Sequence, residues 1–227
     1  MINKIVQSMA EAMAGIRDGA VVLLGGFGSI GQPNALIEGL IEQGATDLTV
    51  VSNNAGTGRS GLARLLELGR VRKIICSYPR SAGSVVFEDV YRAGRIELEI
   101  VPQGTMSERM HAAGAGIPAF FTATAVGTKL AAGKEEREIA GRKYLLEEAL
   151  AGDVALIEAW EADRWGNMTY RSSARNFNPV MATAAALTIA QAQHIVALGA
   201  LDPEKIVTPG VYVKRVLHVP YGEPAVT

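Results

Sequence analysis

The chain has 227 residues, 48% of them apolar and 20% charged, the proportions of a globular protein able to bury a substantial core. Twenty-two Lys and Arg against 23 Asp and Glu leave a net charge of −1, which argues against a nucleic-acid or anionic-membrane partner. The lone cysteine, Cys76, rules out an intrachain disulfide and a cysteine-based metal cluster. No apolar leader is expected at the start, and residues 181–190 are too short a run to span a bilayer. A cytoplasmic protein is expected.

Ile5, Met9, Met13 and Ile16 fall four, four and three apart, which predicts an opening helix stopped by Asp18-Gly19. Residues 20–24 are an apolar run between glycines and predict a strand buried on both faces. Pro33 suits the first turn of a helix whose stripe is Leu36, Ile37, Leu40 and Ile41. The pattern then repeats, with strands at 48–51, 73–77 and 96–101, and helices marked by Leu62, Leu65 and Leu66 and by residues 84–92. Four such passes predict an α/β protein: an open, doubly wound, mostly parallel sheet in a three-layer α/β/α arrangement. The second half is less regular. Strands are expected at 153–159 and 168–171 around a Trp165-Gly166-Asn167 turn, a helix over 178–186, and short strands at 187–189, 194–197 and 211–218. No linker or charge block divides the chain, so residues 1–227 are expected to form one domain without internal repeats.

Glycine is in excess, 25 of 227, and clusters at residues 25–31, 56–61 and 114–116, where a backbone turns sharply or approaches a ligand closely. Gly26-Phe27-Gly28-Ser29-Ile30-Gly31 satisfies G-x-G-x-x-G between a strand and a helix, the context of a dinucleotide fingerprint. The acidic ribose ligand expected about 20 residues on is missing, since Val51, Ser52 and Asn53 stand there. A tight strand-to-helix turn without a ligand explains the same glycines. His111, His194 and His218 are scattered and give no metal-binding pattern. Cys76 follows two isoleucines and reads as inert core, residues 134–137 as a solvated charged loop, and Trp160 and Trp165 as interface or core.

A longer pattern overlaps the glycine loop. Asp18-Gly19, Val22-Leu23-Leu24, Gly25-Gly26-Phe27 and Gly31-Gln32-Pro33 stand in one register. Further blocks follow in Ser52-Asn53-Asn54-Ala55-Gly56, Val101-Pro102-Gln103-Gly104-Thr105, Gly114-Ala115-Gly116, Ser173-Ala174-Arg175-Asn176-Phe177-Asn178 and Thr208-Pro209-Gly210. With these blocks the chain resembles the alpha subunit of the family I coenzyme A transferases. The resemblance implies ping-pong exchange of coenzyme A between two carboxylic acids, through a glutamyl-CoA thioester. The glutamate of that family lies in a Ser-Glu-Asn-Gly motif of a beta subunit. This chain lacks the motif; its Ser107-Glu108 is followed by Arg109. The resemblance therefore implies a separate beta chain, two alpha with two beta chains, and an active site between them. No permanently bound cofactor is implied, the coenzyme A thioester being the substrate.

Position by position, the resemblance implies that the Gln103 side-chain amide helps form an oxyanion hole. It also implies that Gly25, Gly26, Phe27, Gly28, Ser29, Ile30 and Gly31 lie against the pantetheine arm and thioester, and that Asn53 and Asn54 line the acyl pocket. Other readings stand beside these: Gln103 as a helix cap, the asparagines as a turn, and Phe27 as core. Ile75-Cys76-Ser77-Tyr78-Pro79-Arg80 is similar to the 3-oxoadipate branch. A dicarboxylate leaves one carboxylate to recognise, and a guanidinium is its bidentate partner, which makes Arg80, and also Arg59, candidates. Succinyl-CoA with 3-oxoadipate is the first expected pair, and acetoacetate or a short fatty acid the alternative acceptor. One stretch departs from the family. Relatives commonly read Thr-Pro-Thr-Gly-Tyr-Gly-Thr where this chain has Thr122-Ala123-Thr124-Ala125-Val126-Gly127-Thr128.

Overall fold

Apolar runs buried on both faces build the core of the fold, and they lie side by side in one parallel sheet. The computed structural model describes residues 2–220. In chain order its strands and helices are β1 (Ile5–Val6), α1 (Met9–Met13), β2 (Val21–Leu24), α2 (Asn34–Gln43), β3 (Leu48–Asn54), α3 (Gly61–Glu67), β4 (Val71–Tyr78) and α4 (Val85–Arg92). There follow β5 (Glu97–Ile100), α5 (Gln103–Ala115), β6 (Ala119–Thr122), β7 (Glu136–Ile139), β8 (Arg142–Glu148), β9 (Gly152–Asp163), β10 (Met168–Thr169), α6 (Asn178–Thr183), β11 (Ala185–Val196) and β12 (Arg215–His218).

The main sheet runs β1-β12-β11-β9-β2-β3-β4-β5, with β10 attached to β9. All neighbours along it are parallel, and β10 is antiparallel to β9. From β2 the chain steps outward to β5, then returns past β2 and builds β9, β11 and β12 on the other side. Right-handed crossovers that reverse direction must change face, and the helices do so. Met13, Leu36, Leu40, Leu62, Leu65 and Phe87 from α1–α4 pack with Leu24, Val50 and Ile74 on one face. Met106, Met110, Val180 and Met181 from α5 and α6 pack with Leu23, Val51, Ile75 and Ile157 on the other. The strand order therefore reverses between β2 and β9, the place where open α/β sheets form a crevice at their carboxyl ends.

Several sequence expectations change. Ile5 belongs to β1, paired with Val216, and not to the first helix. That helix starts only after Ser8, whose hydroxyl accepts the Glu11 N–H at 3.1 Å, a capping signal sufficient for a start there. The short strands at 187–189 and 194–197 are parts of one strand, β11, in register with β9 from Ala185 to Val196. The helix from 178 ends at Thr183, and a single helical turn, Gly210–Tyr212, precedes β12.

A second sheet, β6-β8-β7, is antiparallel and has no counterpart among the sequence expectations. One of its strands, Glu136–Ile139, begins inside residues 134–137, which the sequence reads as a solvated loop. Just before it, Lys134 pairs with the buried carboxylate of Glu147. The departure from the family pattern lies beside this small sheet. Within that stretch, Ala125 occupies the left-handed region at φ +69, a conformation disfavoured for a residue with a Cβ.

Ion pairs tie the two sheets together. Glu99 on β5 takes Lys73 at 2.7 Å and Arg109 at 3.0 Å. Arg109 also donates to the Glu148 carbonyl of β8 at 2.7 Å. Burial alone would raise the Glu99 carboxyl, but Lys73 and Arg109 overcome it and hold the group below its ordinary value of 4.5. A carboxylate depressed in the fold stabilises above its unfolded value and loses that contribution as the pH falls through its folded value. Glu99→Gln is expected to lower the melting temperature at neutral pH. The gap to the parent protein closes as the pH drops below 4.5, which thermal melts across the acid range measure directly.

Candidate active site

Because the strands are parallel, the loops after β2, β3, β4 and β5 leave from the same edge of the sheet. These loops and the strand ends beside them carry the glycine stretch, Asn53-Asn54, Arg80 and Gln103, so the fold gathers residues up to 78 positions apart in sequence onto one rim. The positioning is the sheet's, and the chemistry is on the loops.

The glycine loop folds as a tight hairpin. Phe27 and Ile30 exchange backbone hydrogen bonds, at 3.0 Å from Phe27 N and 3.2 Å from Ile30 N. The tip residue Gly28 sits at φ +62 with open space around it. Phe27 and Ile30 are 49% and 51% exposed, so Phe27 is not core. The base of the hairpin is held by the segment 172–178 coming from the β9 side. Asn176 accepts the Gly26 N–H at 3.1 Å and donates to the Ile30 carbonyl at 3.0 Å. Asn178, fully buried, donates to the Gly31 carbonyl at 3.0 Å and to the Ala174 carbonyl at 2.8 Å. A Cβ on Gly25 would overlap the Asn178 amide, and one on Gly31 would meet Ala174 and Asn176. At these two positions glycine is required by the protein's own chain; at Gly28 the space is left for something else.

Gln103 is the first residue of α5 and is exposed. Its side-chain amide donates to the side-chain carbonyl oxygen of Asn53 at 2.8 Å. A primary amide has two N–H groups, and the second has no acceptor among the described residues. The helix-cap reading of Gln103 is not what the structure has, because α5 has no side-chain cap at its N-terminus. Asn54 does make the turn that the sequence allows, its side-chain oxygen accepting the Gly56 N–H at 2.8 Å. Nearby, in the first turn of α5, the buried Thr105 hydroxyl has no hydrogen-bond partner among the described residues.

The loops after β3 and β4 are stitched together. Gly58 N–H donates to the Gly83 carbonyl at 2.9 Å, and the Ser84 hydroxyl to the Gly56 carbonyl at 3.1 Å. Arg80, on this joined surface, is 72% exposed at its side chain and pairs with Glu88 at 2.6 Å. Glu88 also holds Arg92 at 2.8 Å, so Arg80 can leave without stranding a carboxylate. Arg59 pairs with Glu67, which has no second cation among the described residues.

Other residues fall outside this rim. Cys76 is fully buried on β4, and burial pushes its thiol up to about 12 against the opposing hydrogen bond from the Tyr78 backbone. Trp160 stacks edge-on to His194 and beneath Arg171, and Trp165 is partly exposed. Among the described residues no cluster of His, Cys, Asp or Glu could hold a metal ion, and no helix is long and apolar enough to cross a membrane. A cavity of about 330 Å³ opens at the opposite edge of the sheet, lined by Arg17, Asp18 and Asp153. The loop chemistry is not there, and the carboxyl rim is the better site.

Residues 6–218 match the coenzyme A transferase family along nearly the whole described chain. The chain belongs to that family. Similar proteins include the A-subunit of the 3-oxoadipate CoA-transferase of Pseudomonas putida, 58% identical over 96% of this chain and 95% of that one. Another is the A-subunit of a probable succinyl-CoA:3-ketoacid coenzyme A transferase of Bacillus subtilis, 48% identical over 95% and 90%. Among solved structures, the acyl-CoA transferase of Escherichia coli O157:H7 has the same fold, with a TM-score of 0.85 at 23% identity. This transferase chain is covered to 98% in that match but spans only 48% of the Escherichia coli chain.

The blocks at 25–33, 52–56, 101–105 and 173–178 thus meet on one rim, and the structure adds what spacing alone does not give: Asn176 and Asn178 as the braces of the glycine loop. Their signal is two asparagines within three residues, in a chain with a glycine-rich loop to hold, but the contact spans about 150 residues. Asn178→Ala removes acceptors and donors from buried backbone groups, each left unsatisfied at about 1–3 kcal/mol. Denaturant unfolding is expected to show a loss of about 3 kcal/mol, and Gly25→Ala a loss at least as large, because its methyl displaces the same amide.

Proposed function

We propose that this chain is the alpha subunit of a two-chain enzyme that moves coenzyme A from succinyl-CoA to a 3-oxo acid, with 3-oxoadipate as the first acceptor and acetoacetate the second. The observation that carries this reading is the 58% identity to the A-subunit of a 3-oxoadipate CoA-transferase over almost the full length of both chains. A beta chain supplies the glutamate. Its carboxylate attacks the thioester carbonyl, the C–S bond breaks, and a mixed anhydride and coenzyme A thiolate form. The thiolate then attacks the glutamyl carbonyl and expels succinate, leaving glutamyl-CoA. The acceptor acid reverses the two steps.

This chain supplies the other wall. A carboxylate is a weak nucleophile toward a thioester, so charge developing on the carbonyl oxygen must be met by preorganised donors. Gln103 suits that role, because Asn53 fixes its amide by one N–H and leaves the second for the oxyanion. The glycine hairpin lies against the pantetheine arm, with Gly28 at the open tip. Asn53 and Asn54 line the acyl pocket. Phe27, Ile30 and Tyr78 present large apolar side chains along the same rim, a surface suited to closure by a second chain. The match to only half of a longer transferase of the same fold favours that division of labour. We read residues 1–227 as one domain, acting in the cytoplasm as two alpha and two beta chains, with no cofactor beyond the coenzyme A thioester it turns over. A dinucleotide reading has no support at Val51, Ser52 or Asn53, where no carboxylate stands.

The test is transfer from succinyl-CoA to 3-oxoadipate, with acetoacetate as competitor, for the purified chain and for the chain co-expressed with its neighbouring beta chain. Activity is expected only in the pair; an active lone chain overturns the half-enzyme reading. In the pair, Gln103→Ala is expected to lower kcat by about 10²–10³ while assembly, followed by sedimentation, is unchanged. Arg80→Lys replaces a planar fork by a point charge and is expected to raise KM for 3-oxoadipate by about tenfold, with KM for acetoacetate nearly constant. Equal effects on both acids remove Arg80 from substrate recognition.

A further inference from the structure

Helix α2 begins directly after the glycine loop, and its own sequence does not cap it. Pro33 stands at the N-cap position without a side-chain hydrogen bond, and the first turn carries no acidic residue. The first N–H groups of a helix have no partner inside it. Here they find one far away in sequence. The Gln191 side-chain oxygen, from β11, accepts the N–H of Ala35 at 3.1 Å and of Leu36 at 3.3 Å. These are the positions that a local N-cap side chain serves.

A glutamine amide offers a carbonyl on one side and an NH2 group on the other, and either can face the helix. Glu158 decides which. It is paired with Gln191 in the register of β9 and β11, and its carboxylate accepts the Gln191 NH2 at 2.9 Å. An ionised carboxylate only accepts, so the glutamine carbonyl must point to α2. Burial raises the Glu158 carboxyl, opposed by hydrogen bonds from Gln191 and Gln193, and it has no ion pair among the described residues. From its backbone, Glu158 N–H also donates to the Asn178 side-chain oxygen at 3.1 Å, and Asn178 holds Gly31. Both ends of the segment from Gly31 to Leu36 are therefore fastened through one residue.

We propose that Glu158 is a positioning residue for coenzyme A binding: it orients Gln191 as the remote cap of α2 and thereby sets the glycine loop against the thioester. The inference rests on the placement of coenzyme A against that loop proposed above, and it assigns Glu158 no contact with substrate.

The polarity of the pair supplies the test. Glu158→Gln can turn an NH2 group toward Gln191 and force the glutamine to present NH2 to the helix. The swap E158Q/Q191E restores the order, because a carboxylate at position 191 accepts both from the new amide at position 158 and from the helix N–H groups, where negative charge is favourable. Hydrogen exchange on the alpha–beta complex is expected to show Ala35 and Leu36 amides about tenfold faster in E158Q, with recovery in the swap. KM for succinyl-CoA is expected to rise about tenfold in E158Q and recover likewise, while kcat and KM for the acceptor stay within about twofold. Unchanged exchange at Ala35 and Leu36, or faster exchange that the swap does not reverse, overturns the proposal. Gly28→Val separates the two readings. If it raises KM for succinyl-CoA and E158Q does not, Glu158 is not a positioning residue. If neither variant changes KM while exchange behaves as expected, the cap stands and the placement of coenzyme A on the loop fails.

Discussion

A parallel sheet opens a gap where its strand order reverses, and in this transferase chain Asn176 and Asn178 fill that gap with amide groups. Each side chain satisfies backbone donors or acceptors from the glycine loop and from its own segment. Buried backbone groups cannot be left unpaired without cost, so the loop has little freedom at its base. Two glycines exist because of this contact: Gly25 and Gly31 leave room for the asparagines and Ala174. The exposed part of the loop is thereby confined to the tip, from Phe27 to Ile30. The glycine-rich appearance of the loop mixes two causes, close packing at its ends and open space at Gly28.

From β2 to α4 the chain is legible because the strands hold apolar runs and the helices stripes with regular spacing. Leu36, Ile37, Leu40 and Ile41 mark α2, and all the strands from β2 to β5 fall where their apolar runs lie. The second half hides its order for physical reasons. In β11, Gln191 and Gln193 interrupt the apolar pattern, although Gln191 is buried and turned to Glu158 and the start of α2, and one long strand reads as two. In the small antiparallel sheet β7 is fully exposed and β8 begins and ends on charged residues, so these strands resemble loops. Ile5 matches a helical spacing by coincidence, and pairing with Val216 overrides it. At the site, the residue types on the rim are readable from their blocks. The contacts among them are not, because Gln103 meets Asn53 across 50 residues and Gln191 meets Ala35 across 156.

The rim is rigid in unequal measure. Asn53, Gln103 and the joined loops around Gly58 and Gly83 are held by direct hydrogen bonds, which suits donors that must not reorganise as charge develops. Among the described residues Arg80 is held only by a shared, exposed ion pair. Exposed pairs contribute little stability, so this side chain is free to exchange its partner. Fixed groups thus lie at the ends of β3 and β5, and an exchangeable arginine lies on the loop after β4.

Cys76 sits on β4 two residues before the rim, the one thiol of a chain whose family handles thioesters. A thiolate in that position would be a rival acceptor, taking acyl groups from the substrate by thiol exchange and leaving the protein acylated. Burial pushes the thiol up to about 12, so at neutral pH it stays protonated. The packing of β4 between Ser52 on β3 and Ile100 on β5 that builds the core therefore also keeps this thiol protonated and out of reach.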